Sequence, residues 1–337
     1  MKRDTNEGID IHDKTVTSND MVKKVLDAQL RKREAQQMLG ALKRERDAVL
    51  DEFNDFRKAR PVPKSPSVPR STKAEKVRIT AADGHGMRQD AKAVAAFLAD
   101  VKKHDPDEIV LLGDWLDCEG WLAKHHVVGF VSNCDYSYQE DVAATNSFLD
   151  KLQKAAPNAV IRYFFGNHED RVERAIVDMV LGNASEAAFL NTLWGIESVL
   201  RLDERGIIPI KRDVIYEKGY PRGWVKLGNM CFSHEAGGKG KNAARDVVAK
   251  AATNVTFGHT HREDTATIVF PGVGICKAFN PGCLCQIQPI YMHSDPDSWS
   301  QGYAIDYIAK SGLFQRVQVP IWNGVSLGGA MFDRFKD

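Results

Sequence analysis

No long apolar run occurs anywhere in this chain of 337 residues. A membrane-crossing helix needs ~20 consecutive apolar residues, so no span is expected and no membrane partner is implied. Neither sign of charge dominates. Lys+Arg total 46 against 45 for Asp+Glu, so no global basic field points to nucleic acid and only local patches can make that case. Cysteine is sparse and scattered, at Cys118, Cys134, Cys231, Cys276, Cys283 and Cys285. That is not the spacing of a compact secreted disulfide framework, and it points to a reducing cytoplasm. Cys283-x-Cys285 lacks the second nearby pair that a structural zinc site of this kind uses. The opening residues, Met1 to Glu7, lead into no apolar segment of the signal-peptide type.

Hydrophobic residues make up 43% of the chain and charged residues 27%, enough for a full core under an ordinary soluble surface. The length suggests two or three domains at roughly 150 residues each. Proline is absent from Asn19 to Phe56, where Lys, Arg, Glu, Gln, Ala and Leu predominate, so this stretch reads as a long charged helical arm. Its apolar residues recur at Val22, Val25, Leu26 and Leu30, then at Met38, Leu39, Leu42, Val49, Leu50, Phe53 and Phe56. Arg31-Lys32-Arg33-Glu34 interrupts the heptad, so one helix and a pair broken near Gly40 fit equally. Self-association through this arm is the expectation. Prolines then cluster with serine and basic residues from Arg60 to Arg70, which reads as an extended linker. The organisation is therefore 1–59 polar N-terminus and helical arm, 60–75 linker, 76–337 main domain.

The main domain opens with α/β texture: strands at 77–82, 108–112 and 160–165, with helices over 90–103 and 140–154. Residues 171–205 read as helical, and strands follow at 212–217, 224–228, 230–234, 254–258 and 265–270. Five of these apolar runs end on polar residues. They are Asp83-x-His85, Gly113-Asp114-x-x-Asp117, Gly166-Asn167-His168-Glu169, His234-Glu235 and Gly258-His259-Thr260-His261. Ligands of α/β sheets gather at the carboxyl ends of strands. One histidine after a strand is ordinarily structural; five endings carrying imidazole, carboxylate and amide oxygen are hard to assign to packing. That donor set suits borderline divalent cations, and no thiolate joins it.

These motifs, in this order over about residues 77 to 262, resemble those of the calcineurin-like metallophosphoesterase superfamily. The segments 237–245 and 280–285 further resemble a branch common in phages and prophages, which would place the protein in a host cytoplasm. The resemblance implies a four-layer α/β/β/α sandwich of two mixed sheets. It implies two divalent ions, manganese first, with iron, zinc or nickel also compatible. Asp83, His85 and His261 would hold one ion and Asn167, His234 and His259 the other, with Asp114 bridging. His168 would face the phosphate, hydrogen-bonded to Asp117, which would orient the ring and favour its charged form. The reaction implied is in-line attack on phosphorus by metal-activated hydroxide.

The substrate is read less directly. A nuclease or phosphodiesterase acting on DNA or RNA is favoured by the basic residues Arg60, Lys64, Arg70 and Lys73 and by Lys239 and Lys241 beside His234. Arg171, one helical turn past His168, is either a phosphate contact or a structural partner of Glu169 or Asp170. Trp115, Trp121 and Tyr136 are either base-stacking platforms or local core. Glu169 is the residue that protein phosphatases of this superfamily carry, which favours a phosphomonoesterase instead. Against that, Cys118 stands where those phosphatases have arginine. A non-catalytic metal-binding scaffold is the third reading.

Overall fold

The computed structural model describes residues 18–59, 62–64, 75–118, 136–238, 240–287 and 298–329. The chain divides into two compact units, Met1–Pro61 and Val62–Asp337. In the first, one helix (α1, Ser18–Ala59) runs through Gly40 without a break. The ~1 kcal/mol that a mid-helix glycine costs is thus absorbed, and the alternative of two helices is excluded. Val22, Val25, Leu26, Leu30, Met38, Leu39, Leu42 and Val49 are all exposed on it.

The second unit is a mixed α/β fold with two sheets flanked by helices. Four strands, β1 (Glu75–Ala81), β2 (Glu108–Leu112), β3 (Val160–Phe164) and β4 (Ile208–Ile210), run parallel, and β10 (Gly302–Ala309) pairs antiparallel with β1. With β11 (Phe314–Trp322) and β12 (Val325–Ser326) they make seven strands in the order β12-β11-β10-β1-β2-β3-β4. The second sheet has the order β5-β6-β7-β9-β8. In it β6 (Met230–Ser233) lies parallel to β7 (Val255–Phe257), beside β5 (Val225–Leu227), β8 (Glu263–Phe270) and β9 (Gly274–Pro281).

Strand periodicity builds the layers, because successive side chains point to opposite faces. Ile79, Ile109, Leu111, Ile161 and Tyr163 face outward onto α2 (Ala91–His104) and α3 (Tyr138–Ala155), where Phe97, Val101, Phe148 and Leu152 meet them. Val110, Leu112 and Phe164 face the other way, onto Met230, Phe232 and Phe279 of the second sheet. The far face of that sheet, through Cys231, Val255, Phe257 and Ala278, is covered by a helix at Ala243–Ala251. The order is helix, sheet, sheet, helix. The strands thus deliver their carboxyl ends to one rim, with β1, β2 and β3 from one sheet and β6 and β7 from the other.

Two expectations are corrected. No strand forms over 212–217; Ile208–Ile210 pairs with β3 instead. Ile210 reaches the inter-sheet core, whereas Val214, Ile215 and Tyr216 are exposed, a distinction that alternation of residue types does not carry. The helical stretch 171–205 is four helices, Glu169–Met179 (α4), Ala184–Trp194, Ile196–Val199 and Leu202–Arg205. Both Leu181 and Gly182 have positive φ, which stops the first. No helix among the described residues is long and apolar enough to cross a membrane.

Charged ties cross the inter-sheet layer. Arg78 on β1 pairs with Glu108 on β2 at 2.7 Å, lies over the Phe232 ring and donates to the Leu227 carbonyl of the second sheet. Arg316 on β11 pairs with Asp306 on β10 and donates to Thr256 on β7. Burial pushes the Glu108 carboxyl up, but Arg78 and Arg162 more than offset this and hold it below its ordinary 4.5. A carboxyl depressed in the folded state contributes stability above its unfolded pKa, and the contribution is lost as pH falls through the folded value. Glu108→Gln leaves Arg78 buried without its anion, so it is expected to cost about 3–5 kcal/mol at pH 7 in urea unfolding. It should also flatten the decline in stability expected of the unmodified protein below pH 4.5. Equal acid slopes in the two proteins would contradict this.

Candidate metal centre

At the shared rim the five strand ends converge. Donor atoms of Asp83, His85, Asp114 and His261 lie within 4.8 Å of one another, as do those of Asp114, His234 and His259. Asp114 belongs to both groups. Asn167 joins the second, with Oδ1 at 3.2 Å from His234 Nε2 and 2.7 Å from His259 Nδ1. Asp83, His85, Asp114, His234 and His261 are buried, and Asn167 and His259 are half-buried.

Two glycines allow this approach. A Cβ on Gly113 would sit 2.4 Å from His234 Nδ1, and one on Gly166 would sit 2.0 Å from Asp114 Oδ1. The backbone is bent further at the cluster itself: Asp83, His85, Asp114, His259 and His261 all have positive φ, between 53° and 70°. Left-handed backbone at non-glycine residues costs of order 1 kcal/mol or more each and gathers at functional sites. Aspartate and histidine tolerate it better than most side chains.

The donor chemistry fits cations. His85 donates from Nδ1 to Asp117 Oδ1 (2.8 Å), which leaves its Nε2 as a lone pair facing His261 Nε2 at 3.0 Å. His261 Nε2 is in turn 3.2 Å from Asp83 Oδ1. On the other side His234 donates from Nδ1 to the Leu112 carbonyl (2.7 Å). Its Nε2 then faces Asp114 Oδ2 at 3.0 Å and Asn167 Oδ1, two acceptors that call for a proton or a cation between them. Acceptors aimed at acceptors repel unless a proton or a metal ion lies between them, and neutral imidazole with carboxylate and amide oxygen is a ligand set for divalent ions. This buried His/Asp cluster can hold a metal ion.

The same crowding sets the proton affinities. Burial raises the Asp114 carboxyl, yet His168 and His234 overcome it and hold the group well below 3.8. Asp83 is lowered too, with burial outweighed by His261 and His234. Burial disfavours a charged His234, but Asp114 and Asp83 raise it to about 10. His259 is lowered by burial and by His234.

His168 differs from the expectation. Its Nδ1 is 3.6 Å from the Asp117 carboxylate and makes its close contact with the Asp117 main-chain carbonyl; the carboxylate is engaged by His85. Burial pushes its pKa down to about 3, so the ring is neutral here. Arg171 explains the tautomer: its Nη2 donates to His168 Nε2 at 2.9 Å and its Nη1 to the Asp117 carbonyl at 3.1 Å. Arg171 pairs with neither Glu169 nor Asp170; Asp170 is bound by Arg212, which also holds Glu235. Lys241 is exposed on the turn Gly240–Asn242, and Lys239 lies outside the described residues, as do Trp121, Arg60, Arg70 and Lys73. Trp115 is core, fully buried and stacked on Phe148.

Asp141 and Trp299 escape the sequence reading, and Glu169 and Cys285 take places in the structure that it does not assign them. Glu169 is fully buried and accepts from the main-chain N–H of Asp114, Trp115, Leu116 and Gly166 and from the Tyr163 hydroxyl. Asp141 on α3 accepts from Met87, Asp117 and Cys118 N–H and from Tyr136. Trp299 packs edge-on against the His261 ring at 4.0 Å. Cys285 brings its sulfur within 4.8 Å of His85 and His261 donors, so a thiol does stand beside the nitrogen and oxygen set. A carboxylate spaced to reach loop amides was the one available signal, and it has no fixed offset in sequence.

No protein-family model matches the chain, and no curated protein matches it. Several solved structures are similar at low identity. A Vps29 variant from Entamoeba histolytica is 12% identical, covering 74% of this chain and 95% of that one, with a TM-score of 0.36. The phosphoesterase YfcE from E. coli is 16% identical over 72% of this chain and 98% of that one, at 0.33. The NAD nucleotidase of Haemophilus influenzae is 10% identical over 73% and 50%, at 0.35. At such scores these likenesses assign no role to any residue here.

Glu169 faces the scaffold and not the open rim. Glu169→Ala would leave buried N–H donors unpaired, at a cost of at least about 3 kcal/mol in thermal or urea unfolding. Glu169→Asp, which keeps the charge, is expected to lower stability while leaving any preference between phosphate monoesters and diesters within about twofold. A reversed preference would show that the side chain reads substrate.

Proposed function

We propose that this chain is a metal-dependent phosphoesterase that holds two divalent cations on either side of Asp114. The observation that carries the reading is the sharing of that one buried carboxylate between two groups of histidines. Asp83, His85 and His261 would hold one cation, and Asn167, His234 and His259 the other. Two such cations supply an activated water nucleophile and neutralise charge developing on a phosphoryl group. Manganese is our first assignment, and a cytoplasmic setting accords with the free, buried Cys118, Cys231, Cys276, Cys283 and Cys285.

The chain's own groups do the positioning. Asp117 fixes His85 through its carboxylate and receives His168 through its carbonyl. His168 and Arg171 form one unit beside Asp114, with His168 Nε2 3.8 Å from Asp114 Oδ2. A phosphate oxygen next to this pair opposes the burial that holds His168 neutral and favours its protonation. His168 thereby stabilises the transition state or hands a proton to the leaving oxygen.

We favour a phosphodiester, as in DNA or RNA, over a monoester. A monoester carries a second negative charge, and the arginines around the rim are already engaged. Arg171 is held by His168 and Asp117, Arg212 by Asp170 and Glu235, and Arg262 by Ser298 and the Gly240 carbonyl. With Mn2+, purified protein is expected to hydrolyse bis-p-nitrophenyl phosphate faster than p-nitrophenyl phosphate. Asp114→Asn or His168→Ala should lower turnover about a hundredfold or more with the fold intact. Monoester preference would overturn the diester reading; metal binding without turnover would favour a scaffold.

The helical arm is a separate proposal. Eight exposed apolar residues on α1 suit pairing with a second copy, since exposed patches of this kind mark interaction sites. Removing residues 1–70 should lower the solution mass measured by light scattering from an oligomer to a monomer. An unchanged mass would refute it.

A further inference from the structure

Among the described residues, Cys285 is the only sulfur placed among the donors of the cluster, and its backbone is tied down on several sides. Its main-chain N–H donates to the Asp83 carbonyl (3.1 Å), and its own carbonyl accepts from the Gln301 side chain (2.8 Å). Leu284 also donates to Asp83 O, Asp90 donates to Leu284 O, and Cys283 is tied to Ser300 and Gly302. Gln89 bridges to Cys285 from the opposite side. The segment is therefore clamped to the backbone of the residue that opens the first ligand group. Cys285 is 2% exposed and Cys283 is fully buried, which removes the access that a reactive or disulfide-exchanging thiol needs.

The second observation concerns His261. Its Nδ1 is buried without a hydrogen-bond partner among the described residues, while its Nε2 faces the lone pair of His85 Nε2 at 3.0 Å. Asp83 Oδ1, 3.2 Å away, can take a proton carried by that Nε2, but no described group meets the Nδ1. A cation seated at His85 and His261 would take the place of that proton, and the Cys285 sulfur lies within reach of the same point. Cys283 is the control built into the sequence. It is two residues away, its thiol meets the Ser300 carbonyl at 3.6 Å and the Cys285 thiol, and it belongs to no such group among the described residues.

We infer that Cys285 is a thiolate ligand of the cation held by His85 and His261, so that the two cation positions differ in kind. This rests on the phosphoesterase reading above. Coordination exchanges the S–H bond for a sulfur–metal bond and releases one proton to solvent; no oxidant or reductant is needed. A nitrogen, oxygen and sulfur donor set selects Zn2+, Co2+ or Fe2+, whereas the Asn167, His234 and His259 position, free of sulfur, accepts Mn2+. The protein would then carry a mixed pair of ions.

Cobalt tests this without reference to turnover. The full chain titrated with Co2+ is expected to show a near-ultraviolet sulfur-to-cobalt charge-transfer band together with the visible bands of bound cobalt. Cys285→Ser and Cys285→Ala should abolish the charge-transfer band while visible bands persist, and Cys283→Ser should keep both. X-ray absorption on the unmodified zinc-loaded protein, which needs no variant, should show one sulfur at about 2.3 Å. Cobalt bound with no charge-transfer band and no sulfur scatterer would overturn the inference and leave the two-cation reading standing. A band that survives in both Cys285 variants would overturn it too. No cobalt bound at all would overturn the two-cation reading and this inference together.

Discussion

The centre depends on a carboxylate that touches no substrate. Glu169, fully buried at the start of α4, receives four main-chain N–H groups and one hydroxyl. Those donors belong to the loop after β2 and to the turn after β3, so one side chain sets the distance between two strand ends. Asp141 does the same for the loops after β1 and β2, through Met87, Asp117 and Cys118. Burial pushes both carboxyls upward, and the amides directed at them are what compensate their lost hydration. Loops held this firmly can place Asp114, Asn167 and His168 without help from a ligand.

That firmness is spent on strain. Five of the converging residues sit in left-handed backbone, and the Nε2 atoms of His85 and His261 are held 3.0 Å apart beside the Asp83 carboxylate. Each feature disfavours the fold locally. Their coincidence at one rim is what an ion-binding site looks like before its ion is counted: the repulsion among donors is the counterpart of the attraction each has for a cation. Beneath the rim, Arg78 and Arg316, paired with Glu108 and Asp306 within the first sheet, reach Leu227 and Thr256 of the second and keep the two sheets in register so that β6 and β7 meet β1, β2 and β3 there.

Much of this was legible in the sequence, for identifiable reasons. Strands β1, β2, β3, β6 and β7 are apolar runs that stop at Asp, Asn or His, and metal chemistry requires those side chains at short fixed offsets. The layers follow from alternation within the runs. What stayed hidden were relations that no short pattern encodes. Glu169 read as a clue to substrate because its partners are main-chain amides, which have no letter. The motif pairs the Asp117 carboxylate with His168, but in the structure it serves His85 at 2.8 Å and stands 3.6 Å from His168. Cys285 has no neighbouring pair in sequence, and only the folded chain brings it to His85 and His261. Residues 212–217 look like a strand, and the shorter Ile208–Ile210 wins by burying Ile210 between the sheets.

The central claim is that Asp114 is shared by two cations. Crystals of the full chain soaked in Mn2+ and measured for anomalous scattering at the manganese edge test it most directly. The account predicts two peaks flanking the Asp114 carboxylate, roughly 3.5–4 Å apart, one against Asp83, His85 and His261 and the other against Asn167, His234 and His259. A single peak away from Asp114, or none at saturating Mn2+, would contradict it.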